Sequence, residues 1–181
     1  VLVVSVCSVS PDISRNFVGV AGALTLTLLL VAVERRATYR LLPDGAFQMT
    51  SALGALYAMM SLLAVTVTSS EIFVPLFLQV LHAQTPLLAG YLAALMAAGW
   101  TVGSISSSGL SRSGVRRALV ISPILGAVGM MVLAVLMPVR TSGDWLVLAP
   151  VCVALFGIGL GVGLAWPHLL TRVLQVAPAH Q

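Results

Sequence analysis

The chain has 181 residues, of which 59 % are hydrophobic and only 8 % charged, and its mean hydropathy is +1.08. Soluble domains carry about 25 % charged residues, so this sequence cannot cover a water-facing surface, and its hydrophobicity also excludes a disordered chain. The net charge of +4 comes from nine arginines set against five acids, Asp12, Glu34, Asp44, Glu71 and Asp144. No basic patch interleaved with aromatics is present, so no nucleic-acid partner is expected. The composition predicts an all-α polytopic membrane helix bundle with the lipid bilayer as its solvent.

Residues 1–10, VLVVSVCSVS, lack the basic start of a signal peptide. They are too short to cross an apolar layer about 30 Å thick. They read as the tail of a truncated transmembrane helix, and the chain reads as a piece of a longer protein. Five spans follow: Phe17–Val33, about Phe47 to Leu81, about Leu87–Ser108, Ala118–Val139 and Trp145–Pro167. Charges, prolines or polar clusters bound each one. The predicted organisation is a helix tail at 1–10, a linker helix and cytoplasmic loop at 11–46, and a partial bundle of four spans at 47–181.

The arginines give the orientation. Arg35, Arg36 and Arg40 follow the first span, Arg112, Arg116 and Arg117 the third, and Arg172 the fifth, whereas the other side holds only Arg15 and Arg140. Arginine is retained on the cytoplasmic side. This split places 34–46, 109–117 and 168–181 inside, and 10–16, 82–86 and 140–144 outside.

Glu71 interrupts the second span after the polar run Thr66–Ser70. A carboxylate at a helix centre costs about 2.5–3.5 kcal/mol to insert. Such a residue faces protein or water and marks an ion or substrate path. Helical spacing puts Tyr57, Met60, Ala64, Thr68, Glu71, Pro75 and Leu78 on one face. Pro75 has no N–H, so the Glu71 carbonyl loses its helical donor and the helix bends. The alternative is that Glu71 sits in water near the outer interface, because the stretch from Phe47 to Leu81 is longer than a bilayer needs. Gln79 lies off this face, where it either bonds across helices or sits at the outer end.

Trp145 and Trp166 mark opposite ends of the fifth span, where aromatic belts form. Trp100 is mid-span and either packs on a neighbouring helix or lines a cavity. Gly99/Gly103, Gly157/Gly161 and Gly159/Gly163 are small-xxx-small pairs that let helices approach closely. His82, His168 and His180 read as solvated loop residues. Cys7 and Cys152 sit in apolar runs, and no Cys/His cluster has the spacing of a metal site. No cofactor is expected. The spans hold one acid and no nucleophile–base pair, so no enzyme is expected.

The loop SSSGLSRSGVRR (Ser106–Arg117) resembles the short cytoplasmic motif of the major facilitator superfamily, Asp-Arg-x-Gly followed by basic residues. Arg112, Gly114, Arg116 and Arg117 match it, and Ser111 stands at the position of the Asp. Gly114 is expected to allow a tight turn. Glu34–Phe47 and Phe73–Leu95 resemble the 14-helix drug:proton antiporter branch; Pro75, Leu76, Leu78, Gln79, Thr85, Pro86, Leu87, Ala89 and Gly90 carry the more specific part. The resemblance implies a partial carboxy-terminal half of a major facilitator fold in the cytoplasmic membrane, covering the second extra helix and helices 7 to 10. It also implies proton-coupled efflux of small amphipathic compounds. Its partners would be the small-molecule substrate, protons and an amino-terminal helix bundle of the same protein. A carrier for a specific metabolite and a non-transporting structural fragment stay open as alternatives. Glu71, Pro75, Gln79 and Trp100 are the candidate pathway residues.

Overall fold

The computed structural model describes residues 13–37, 48, 50–141 and 143–176. The expected helix tail at 1–10, with Cys7, lies outside the described residues, as do Arg40 and His180. Among the described residues there are five α-helices and no strand: α1 (Ile13–Arg36), α2 (Ala52–Val80), α3 (Pro86–Ser107), α4 (Arg112–Leu136) and α5 (Trp145–Val176). Each is long and apolar enough to cross a membrane. The chain is a multi-pass, all-α membrane protein.

Two compact units divide the chain, one containing α1 and the other, residues 45–177, containing α2 to α5. Apolar side chains are exposed around most of α1, including Phe17, Leu24, Leu28 and Val33. Thr25 and Thr27 donate to the carbonyls of Ala21 and Ala23 at 2.8 and 2.9 Å. Those bonds satisfy both hydroxyls within the helix, as lipid requires.

Local chemistry sets the starts of the other helices. Ser51, Thr85 and Ser111 are N-caps, accepting from Gly54 N, Leu88 N and Gly114 N respectively. Each oxygen replaces a missing intrahelical acceptor. Asp144 does similar work before α5, accepting from Leu146 N at 2.9 Å. The helices differ from the expected spans at their ends. α4 begins at Arg112 rather than Ala118, and α5 runs through Pro167 to Val176 for 32 residues. Apolarity marks the part of a helix that meets lipid, whereas the hydrogen-bond ladder continues into the headgroup zone, where arginine is tolerated.

Helix α5 is the centre of the second unit, packing most extensively on α3, then on α4, and also on α2. Its core stripe is Leu148, Val151, Leu155, Ile158, Val162, Ala165 and Leu169, each at most 1 % exposed. The alternating three- and four-residue spacing is that of a helix seam. Contacts between α3 and α5 advance together along both chains, from Met96–Gly159 to Gly103–Leu160 and Ser107–His168, so these two helices are parallel.

Glycine makes that contact close. A Cβ on Gly99 would run into the Phe156 carbonyl oxygen, one on Gly159 into that of Met96, and one on Gly163 into that of Trp100. On Gly103 it would stand 2.5 Å from the Leu160 carbonyl oxygen. Gly161 is turned to α4, where a Cβ would lie 2.8 Å from the Ser122 carbonyl oxygen. Gly157 meets nothing within 4 Å and so takes no part in close packing, unlike its expected partner Gly161. Two residues along a helix is a rotation of about 200°, which is why Gly159 and Gly161 serve different neighbours.

These contacts predict opposite outcomes for one substitution. Gly159→Ala should destabilise the purified protein by about 1–3 kcal/mol through overpacking. Gly157→Ala should be neutral or stabilising by about 0.4–1 kcal/mol. Thermal unfolding in detergent measures both.

Candidate functional site

Glu71 is exposed on the surface of α2. It is the twentieth of the 29 residues of Ala52–Val80. Were that helix centred on a bilayer, the residue would lie about 7 Å from the midplane toward the carboxy-terminal end of the helix, inside an apolar layer about 30 Å thick. Beside it, Ser70 is buried and donates to the Thr66 carbonyl at 2.9 Å. Leu78, expected on the same face as Glu71, is fully buried, together with Val74. The buried stripe of α2 is Leu63, Val67, Ser70, Val74 and Leu78, and Glu71 stands at its margin.

The helix continues through Pro75 without interruption. Pro75 still withholds an N–H from the Glu71 carbonyl, and Gln79 Nε2 donates to the Pro75 carbonyl at 3.1 Å. Gln79 therefore bonds within its own helix, rather than across helices. Trp100 is a separate feature. It is half-buried against the core, its ring centroid 5.8 Å from that of Trp166 at an interplanar angle of 51°. Among the described residues, no hydrogen bond or ring contact joins this pair to Glu71. Trp166 was expected in an interfacial belt; α5 continues ten residues past it, and its ring packs on α3 instead. Trp145, at the start of α5, is 62 % exposed.

A cavity of about 350 Å³ lies between α2 and α4, lined by Ser69, Ser70, Phe73, Phe77, Met130 and Met137 among others. The Phe73 and Phe77 rings stack with centroids 6.2 Å apart. The volume is within the range of small-molecule pockets, and apolar walls with few polar groups are usual for them. Its α2 wall, residues 69–77, brackets Glu71 along the helix. Sequence reading did not find this cavity, because it depends on how two helices diverge.

In the Ser106–Arg117 loop, Ser111 caps α4 and lies 3.1 Å from the Ser113 hydroxyl. An aspartate would cap in the same way. Gly114 sits in the first turn of α4, not in a tight turn as expected; the chain reverses at 108–110. A Cβ at Gly114 would lie 3.1 Å from the Leu110 side chain. Arg112, Arg116 and Arg117 are exposed.

Two histidines depart from their expected solvation. His82 is 0 % exposed. Its Nε2 donates to the Met137 carbonyl at 3.2 Å, and its Nδ1 lies 2.9 Å from Thr141 Oγ1. In the neutral ring Nδ1 is then the acceptor and the threonine hydroxyl the donor. Gln84 Nε2 donates to the His82 carbonyl at 2.8 Å, and Thr141 N donates to the Leu81 carbonyl at 3.3 Å. Ala83 adopts φ 52°, and Gly143 φ +86°. The α2–α3 and α4–α5 loops are thereby joined at one end of the bundle. At the other end, His168 Nε2 donates to the Ser107 carbonyl at 3.1 Å, tying α5 to the end of α3. Neither partner is close in sequence, so periodicity could not reveal them.

The fold and these features define a helical membrane protein with an exposed acid on one of its long apolar helices. The chain is 34 % identical over 156 residues, 86 % of its length, to proteins of two Mycobacterium tuberculosis strains, each described as a probable multidrug-efflux transporter. The match spans 32 % of the length of those relatives. No protein-family model and no solved structure matches the chain.

Two outcomes follow from this geometry. His82→Ala should lower stability in detergent by about 1–3 kcal/mol, because it leaves the buried Met137 carbonyl without its donor. A cysteine placed at Ser111 should stay unlabelled by an impermeant thiol reagent added to sealed cells and react once the membrane is opened. Labelling in sealed cells would reverse the orientation.

Proposed function

We propose that this chain belongs to a secondary active transporter of the major facilitator type that exports drugs or other small amphipathic compounds across the cytoplasmic membrane in exchange for protons. The observation that carries the reading is Glu71. It is a carboxylate at apolar depth, yet it is exposed on α2 rather than covered by α3, α4 or α5. Lipid is a costly neighbour for such a group, so the surface that carries it is one that meets water or further protein. In this reading an amino-terminal helix bundle lies across a central cavity from α2, and Glu71 takes up and releases a proton as access alternates. The likeness to probable multidrug-efflux transporters supports the cargo class. So does the Phe- and Met-lined cavity, since flexible methionines and aromatic rings accept varied apolar shapes.

The test is export of a fluorescent cationic dye from cells producing the full-length protein. Glu71→Gln should raise dye accumulation to the level of cells without the transporter, at equal abundance in the membrane, and Glu71→Asp should retain part of the export. Proton-driven export that is unchanged in Glu71→Gln would remove this residue from the mechanism.

A further inference from the structure

We infer that the cytoplasmic end of the α2–α5 unit holds a binding site for an anionic phospholipid of the inner leaflet. A second cavity, of about 530 Å³, opens between the inner ends of α2, α4 and α5. Ala52, Ala55 and Met59 of α2, Leu119 of α4 and Leu169 of α5 form its apolar walls, and Arg172 is the one charged residue that lines it. The arginine is exposed, whereas Leu169, one turn before it, is fully buried. A hydrocarbon-lined space with a cation at its rim matches an amphiphile that carries a negative head and an acyl chain.

Charge complementarity favours the anionic headgroup. Between residues 45 and 177 the only acids are Glu71 and Asp144. Glu71 lies in the outer half of α2, and Asp144 precedes α5 at its outer end. The inner end of the unit therefore carries Arg112, Arg116, Arg117 and Arg172 without a carboxylate of its own. Helical spacing sets Arg112 and Arg116 on the side of α4 that carries Leu119, one and two turns below the cavity wall. Free inorganic phosphate would use the arginines and leave the apolar walls unfilled. A lipid uses both, and cationic pockets between helices on the cytoplasmic side recognise such headgroups. The inference does not depend on the proposed transport activity.

Native mass spectrometry of the purified protein in detergent, titrated with phosphatidylglycerol or phosphatidylcholine, tests it. The native protein should retain phosphatidylglycerol in preference to phosphatidylcholine. Arg172→Gln should weaken phosphatidylglycerol retention about fivefold, the effect of one arginine at an anionic headgroup. Ala55→Trp, which fills the cavity and keeps every arginine, should weaken it as well, whereas Arg140→Gln at the outer end should not. Equal retention of the two lipids would overturn the site, as would undiminished retention in Arg172→Gln or Ala55→Trp. Displacement of the lipid by millimolar inorganic phosphate would identify a free-anion site in its place.

Discussion

Backbone meets backbone where α3 lies along α5, and the rest of the four-helix unit is arranged around that contact. In lipid the helices gain little from burying apolar surface against one another, so close approach and interhelical hydrogen bonding must hold them together. Gly99 and Gly103 on one side, and Gly159 and Gly163 on the other, remove the side chains that would keep the two axes apart. Ser104 Oγ then comes within 3.4 Å of the Gly163 carbonyl and donates to it. The Trp100–Trp166 pair and the His168–Ser107 bond extend the same seam toward the carboxy-terminal ends of both helices.

Gly161 repeats the device toward α4, so α5 is gripped on two sides. Helix α2 is attached differently. Its contact with α5 is the least extensive of the three. It packs through the larger side chains Leu63, Val67, Val74 and Leu78, and the cavity between it and α4 leaves part of its flank uncovered. Helix α2, which carries Glu71, is thus seated less tightly on α5 than α3 and α4 are. Changes of position are easier where packing is sparse. The junction at His82 limits that freedom at one end, because it joins the α2–α3 loop to the α4–α5 loop through buried hydrogen bonds.

Long apolar stretches made the five helices among the described residues legible from the chain alone, and the up-and-down alternation of α2 to α5 with them. In the α2–α5 unit, the loops around His82 and Thr141 meet at one end, and the Ser107–His168 contact marks the other, in keeping with that alternation. Close-packing glycines were legible as a class but not as individuals. Gly157, Gly159, Gly161 and Gly163 are alike in sequence, yet three of them meet neighbouring helices and Gly157 meets none. Spacing says which residues share a helix face, but not which neighbour lies against it.

The sequence by itself determined that this protein is a helical, multi-pass membrane protein, because continuous apolar runs such as Phe17–Val33 and Ala118–Val139 satisfy their backbone in lipid as helices, whereas the strands of a barrel are short and alternate apolar with polar residues. It also singled out Glu71, since a charge in an apolar run stands out without any structure. Only the tertiary structure decided that His82 is buried rather than solvated, that Trp166 packs at a tilt against Trp100 rather than lying in a belt, and that Glu71 stays uncovered by its own bundle. Each of those outcomes depends on residues tens of positions away meeting in space, and hydropathy and periodicity carry no record of such meetings.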